Sequence, residues 1–223
     1  GGRGGGGGGF GVAFHFSRSL KAMKILYFHQ HFSTPRGAAG NRSYQFARFL
    51  AKQGHHVSVV CGSGFRSDTG LDGPFVNGRR QGIVDGIEVI EINLPYSNHN
   101  GLLKRSFLFL RFALKGIQLV FQNHCDIVFA TSTPLTASIP GIVARWLFER
   151  RFVFEVRDLW PELPRDMGVI TNPMVLSAMG VLEWVSYRSA HHLVGLSPGI
   201  VDGIARRGVP RDRIAMIPNG CDL

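Results

Sequence analysis

Cysteine is scarce in this chain. Cys61, Cys125 and Cys221 are odd in number and far apart, which argues against a disulfide framework or a cysteine-rich metal site. Such usage fits a reducing compartment, and Cys61, ending an expected strand, reads as a small buried apolar residue. Histidine is present without His-x-x-x-His spacing or a carboxylate cluster, so no metal site is expected. Zinc-finger spacing and nucleic-acid reading motifs are missing too, which puts nucleic acid last among partners. No apolar run is long enough and free enough of charge to span a membrane. No internal repeat is visible.

Acid is also in short supply. Fifteen acidic residues against 25 basic ones leave a net charge of +10. Residues 1–22 hold Arg3, Arg18 and Lys21 and no acid, so they supply +3 and leave +7 to the rest. A basic balance speaks of partners, here anionic lipid or nucleotide phosphates, and not of fold.

What is present is a chain of 223 residues, 44% hydrophobic, enough for one α/β domain with a sizeable core. The opening is foreign to the rest. Eight of the first nine residues are glycine, and no long apolar core or cleavage site follows. Residues 1–22 are therefore expected to be a disordered leader or tag, with Met23 as the start of the fold.

From Met23 onward, short apolar runs alternate with helical periods. Strands are expected at Lys24–His29, His56–Cys61, Ile87–Asn93, Asp126–Thr131, Phe152–Val156, His192–Leu196 and Ile214–Ile217. Several are continuous apolar runs, the pattern of strands buried on both faces of a parallel sheet. Helices are expected at Gly40–Gln53, Leu102–Gln122, Leu135–Arg150, Met174–Ala190 and Pro198–Arg207. Gly54 sits where a C-terminal cap belongs. The glycine-rich stretch 62–86 reads as a long loop or loose hairpin. The fold class is α/β, a Rossmann-like, doubly wound and mostly parallel sheet.

Five segments carry candidate chemistry. Pro35-Arg36-Gly37-Ala38-Ala39-Gly40-Asn41-Arg42 follows the first strand and opens a helix. Small residues there let backbone N–H groups approach a phosphate or sugar, and a helix N-terminus favours negative charge. The spacing is Gly-x-x-Gly and not the dinucleotide fingerprint, and a merely tight turn stays open. Glu155-Val156-Arg157-Asp158-Leu159-Trp160-Pro161-Glu162 delivers three charged groups and a Trp to a strand's carboxyl end, either as a site or as structural salt bridging. On Leu102–Gln122, Lys104, Arg111 and Lys115 share one face with Gln118 and Gln122, Arg105 flanks it, and no acid is present. That is a basic amphipathic helix suited to an anionic membrane surface, or a helix covering the sheet. Thr131-Ser132-Thr133-Pro134 offers hydroxyls to a sugar or starts the next helix. Ser197-Pro198 reads as an N-cap with proline at the first helical position, and it lacks the Gly-x-Ser-x-Gly of a hydrolase elbow.

The order of these motifs, ending in Pro218-Asn219-Gly220, resembles the N-terminal half of a GT-B glycosyltransferase of the GT4 type. The run Asp158-Leu159-Trp160-Pro161-Glu162 is similar to that of a subgroup building bacterial surface polysaccharide. The resemblance covers residues 23–217, with 218–223 as the start of an interdomain hinge and the C-terminal domain absent. It implies sugar transfer from a nucleotide-sugar donor to a saccharide acceptor, lipid-linked in the subgroup, with retention and without a metal or other cofactor. The chain would then be inactive without its partner half. It implies catalytic roles for Asp158, Glu162 and Arg157. Donor or acceptor contacts fall to Gly37, Gly40, Arg42, Ser132, Ser197, Asn219 and Gly220. Membrane contacts fall to Lys104, Arg105, Arg111 and Lys115. Many such enzymes place a His before the strand's Asp; Arg157 stands there, so the usual His role does not carry over. The implied location is cytoplasmic, at the inner face of the membrane. Two alternatives remain: a non-catalytic membrane- or acceptor-binding module, and half of a GT-B sugar-nucleotide epimerase.

Overall fold

The computed structural model describes residues 21–64, 67–96 and 100–220. Most of the expected leader, and Cys221, Asp222 and Leu223 of the expected hinge, lie outside the described residues.

Strands and helices alternate: β1 (Lys24–Phe28), α1 (Arg42–Lys52), β2 (His56–Gly64), β3 (Arg79–Val84), β4 (Ile87–Tyr96), α2 (Leu102–Gln122) and β5 (Ile127–Thr131). There follow α3 (Ile139–Phe148), β6 (Arg151–Val156), α4 (Glu162–Asp166), α5 (Pro173–Ser189), β7 (His192–Gly195), α6 (Pro198–Arg206) and β8 (Ile214–Met216). The described strands form one sheet in the order β3-β4-β2-β1-β5-β6-β7-β8. Every pairing is parallel except β3 with β4.

The parallel strands are apolar on both faces because both faces are covered. Leu26 and Phe28 of β1 pack with Phe112, Phe152 and Phe154 under α2, α3 and α5. Ile25 and Tyr27 of the same strand pack with Val57, Val59, Tyr44 and Ala47 under α1. Each fully buried aromatic or aliphatic side chain contributes about 1.5–3 kcal/mol relative to exposure. Close approach helps. A Cβ at Gly141 would stand 2.2 Å from the Phe152 ring, so glycine lets α3 lie tight on β6. Gly54, with φ +87°, ends α1 as expected of a left-handed cap position.

One open reading is decided and two expectations need correction. Of the two readings of 62–86, the hairpin holds at its end: β2 runs on to Gly64, a long connection follows, and β3 turns into β4 at Asp85-Gly86, both with positive φ. Asp-Gly is a hairpin signal, outweighed in the sequence by the surrounding glycines. β3 is an edge strand of alternating exposed and half-buried residues, so no apolar run marks it. The helix expected over 135–150 is a 3-10 turn, Leu135–Ser138, followed by α3, which stops where Glu149 turns left-handed. A short helix, α4, follows Pro161 where none was expected.

Candidate functional site

The strand order reverses direction between β1 and β5. The chains leaving these neighbours diverge, and a crevice opens beyond their carboxyl ends, the place where ligands bind in doubly wound sheets. A pocket of about 250 Å³ lies there. His29 and His31 line it from the end of β1, Ala39 and Gly40 from the loop before α1, and Thr133 from the end of β5. Arg157 and Asp158 reach it from β6, and Leu196 from β7.

The walls are polar and interlocked. Ser132 is fully buried, and its Oγ accepts from the backbone N–H groups of Arg157 (2.9 Å) and Asp158 (3.4 Å). It thereby fixes how β6 delivers both side chains. Nη1 of Arg157 stands 3.4 Å from Nε2 of His29, whose Nδ1 meets Ser43 Oγ at 2.6 Å. A guanidinium only donates, so His29 Nε2 accepts and the ring proton lies toward Ser43. Burial, then Arg157 and His31, hold His29 well below the usual imidazole range, consistent with a neutral ring. Burial, Arg105 and Arg157 lower His31 to about 4. Asp158 is raised by burial, partly offset by Arg157. Among the described residues Arg157 makes no ion pair within 4 Å, so its charge is left to the pocket.

Arg42 is not free to meet a ligand. Its Nε bonds the fully buried Glu155 at 2.8 Å, Nη2 bonds the Ile217 carbonyl at 2.7 Å, and Nη1 bonds the Pro218 carbonyl at 2.8 Å. Nη1 also meets Asn219 Oδ1 at 3.2 Å. This one side chain ties the start of α1, the site strand β6 and the segment leaving β8 together. Gly220 is exposed beyond it.

Glu162 is not brought to the pocket either. It pairs with Arg207, just past the end of α6, and Arg207 also meets the buried Glu183 at 3.1 Å. Glu183 accepts from the Trp160 N–H at 3.2 Å and the Tyr187 hydroxyl at 2.8 Å. Glu162 thus belongs to a brace behind the segment 158–162. Ser197 caps α6, accepting from the Ile200 N–H at 3.4 Å, with Pro198 at the first helical position. Gly37 closes a turn onto the Thr34 carbonyl at 3.1 Å. Gly40 is exposed at the pocket, and a Cβ there would stand 3.9 Å from Arg157 Nη2.

On α2, Lys104, Arg111 and Lys115 are exposed along one face. Arg105 faces another way, with its guanidinium 5.8 Å from the Tyr96 ring centre. Tyr96 stacks on Phe109 at 5.6 Å and lies 4.7 Å from His31. Arg105 therefore belongs to the aromatic rim of the pocket and not to the row of lysines and arginine. The pocket residues that motif reasoning missed are His29, His31 and Leu196, while Thr133 falls within the expected Thr131–Pro134 hydroxyl motif. Their shared signal is position, each within three residues of the end of an apolar strand.

Among the described residues no group of three or more His, Cys, Asp or Glu side chains could hold a metal. No described helix is long and apolar enough to cross a membrane.

Residues 37–220 match the family described as glycosyl transferase 4-like domain. Sucrose-phosphate synthase from Thermosynechococcus elongatus is similar in fold, with a TM-score of 0.62 at 14% identity over 90% of this chain and 49% of that one. A putative UDP-N-acetylglucosamine 2-epimerase from Listeria monocytogenes gives a TM-score of 0.54 at 10% identity, over 87% of this chain and 45% of that one. Both likenesses show the Rossmann-like half of a GT-B fold. HepE from Anabaena, in complex with UDP and glucose, gives a TM-score of 0.47 at 16% identity over 90% and 45%. The chain thus spans about half the length of each. No curated protein matches the sequence.

Proposed function

The chain belongs to the family of glycosyl transferase 4-like domains, and on that premise we propose that it is the acceptor-side half of a sugar transferase. A nucleotide sugar is the donor, and a second Rossmann-like half holds most of it. The observation that carries this reading is Arg157, which faces the pocket without an ion-pair partner among the described residues. Beside it the α1 N-terminus directs backbone N–H groups toward the same edge, with no acid in its first turn. Together they suit the negative charge that grows on a departing nucleoside diphosphate as the bond from the sugar's anomeric carbon breaks. His29, neutral and donating to Ser43, holds the guanidinium without competing for its charge.

Asp158, next along the strand, orients the acceptor hydroxyl that forms the new bond to the anomeric carbon. The transfer is retaining in this reading, and the acceptor is a saccharide carried on a lipid in surface-polysaccharide synthesis. The protein then works peripherally at the inner face of the cytoplasmic membrane, held there by Lys104, Arg111 and Lys115 of α2. Glu162 and Arg42 act through others: Glu162 braces the Asp158 segment, and Arg42 sets where the chain leaves β8.

The test is Asp158→Ala in an enzyme carrying both halves. Turnover is expected to fall by about 10²-fold with the melting temperature unchanged. Wild-type turnover overturns the role. Product formed from a sugar nucleotide with no acceptor present would instead support an epimerase.

A further inference from the structure

Helices α2, α3 and α5 lie side by side on one face of the sheet. Trp146 of α3 donates to Ser189 of α5 at 2.8 Å, and Phe121 of α2 meets Phe148 of α3 at 4.9 Å between ring centres. Their outer surface is far more apolar than solvent exposure favours. On α2, Leu103 (89% exposed), Phe107, Leu110, Leu114 and Phe121 form a single ridge at helical spacing. At 1.5 Å per residue that ridge is about 27 Å long. Trp146 (63% exposed) continues the surface across α3, and Trp184 (55% exposed) carries it onto α5.

Within the three helices the solvent-facing charge has one sign, although the exposed Glu149 follows the end of α3. The three helices together hold Lys104, Arg105, Arg111, Lys115, Arg145 and Arg188. Their one acid is Glu183, which is 1% exposed and engaged with Tyr187 and Arg207. No carboxylate of these helices meets solvent. Arg145 stacks on Trp146 at 5.5 Å and Arg188 on Trp184 at 5.2 Å, so both exposed indoles sit under a cation. Indole rings and aliphatic side chains under a basic rim suit the boundary between lipid headgroups and acyl chains. A protein partner would be expected to meet some of this charge with acids of its own; an anionic bilayer meets all of it with phosphate.

We propose that the α2–α3–α5 face, and not α2 alone, is a docking surface for an anionic lipid bilayer, with Trp146 and Trp184 as its anchors. The proposal rests on the reading that α2 meets a membrane, and it extends that surface across two further helices. Leu103 begins the ridge within one helical turn of Arg105 and the aromatic rim, so docking brings the mouth of the pocket to the headgroup level.

The chain is mixed with vesicles of phosphatidylglycerol and phosphatidylcholine in equal parts, and bound protein is measured by flotation. The expected result is binding that weakens with salt and is absent on phosphatidylcholine alone. Trp146→Ser with Trp184→Ser is expected to lower the partition coefficient roughly tenfold. Both side chains are largely exposed, and an unchanged melting temperature checks that the fold is intact. Brominated lipid, which needs no variant, is expected to quench the native tryptophan fluorescence. If reversing Lys104, Arg111 and Lys115 to Glu abolishes binding while the tryptophan variant binds like wild type without quenching, the three-helix surface is overturned and the α2 reading stands. No binding to either vesicle overturns both. A concentration-dependent dimer that buries the tryptophans and ignores vesicles overturns the bilayer as occupant.

Discussion

The two edges of the sheet are built from the same strands and differ in what they bury. Four of the parallel strands begin in solvent: Lys24, His56, Arg151 and His192 are all exposed. Where strands end, polar groups are shut away: His29, Gln30, Thr131, Ser132 and Glu155 are each no more than 2% exposed. The larger opening is at the solvent-rich edge, about 500 Å³ beside Lys24, His56 and Glu88, against about 250 Å³ at the carboxyl edge. Volume is thus a poor guide here. Burying a carboxylate or imidazole costs free energy unless partners are supplied, and at the carboxyl edge Glu155 and His29 find theirs in Arg42 and Ser43. The polar groups gathered dry at the carboxyl edge, beside an Arg157 unpaired among the described residues, mark where the chemistry is proposed to lie.

The sharpest way to break this contrast is to remove a partner. Arg42→Ala leaves Glu155 buried without its cation and is expected to cost about 3–5 kcal/mol in urea unfolding. Arg42→Met with Glu155→Leu is expected to cost less than the single change, since no charge is left stranded.

Acid is the next lever. An unfolded His31 takes up a proton near pH 6.5, while the folded one does so only near 4. Between those values the unfolded chain binds more protons, so stability is present above 6.5 and is lost as pH falls toward 4. The loss is at most about 3 kcal/mol from this group, and His29 shifts the same way. His31→Gln is expected to flatten the pH dependence of the urea midpoint, and an unchanged slope refutes the assignment.

Arg157→Ala is expected to lower turnover of the two-half enzyme about 10²-fold, equivalent to about 2.7 kcal/mol, with little change in melting temperature. At the opposite edge, His56→Ala is expected to change stability by no more than about 0.5 kcal/mol and turnover not at all.

The fold was largely legible because burial on both faces leaves continuous apolar runs, as in Ile25–Phe28 and Val57–Cys61. β3 escaped because an edge strand needs no such run. The site was legible as a place more than as a set of residues. Arg157, Asp158 and Gly40 could be read from their positions at strand and loop ends. Arg42 and Glu162 were read as ligand-facing, and neither local sequence shows that Glu155 lies 113 residues from Arg42 or Arg207 45 residues from Glu162. Long-range pairing decides whether a charge serves a ligand or a neighbour, and spacing along the chain does not record it. His29 was overlooked because a histidine beside Gln30 and His31 carries no motif, though the strand end that holds it is where this fold places ligands.

The central claim is that the carboxyl edge between β1, β5 and β6 receives an anionic sugar-nucleotide fragment. The most direct measurement is a titration of the isotope-labelled chain with UDP, following backbone amide shifts by NMR, which detects weak binding by half a site. Saturable shifts at Gly40, Asn41, Thr133, Arg157 and Asp158, with His56 and Glu88 unmoved, are the predicted result. Shifts confined to the opposite edge, or none anywhere while the fold stays intact, would contradict the claim.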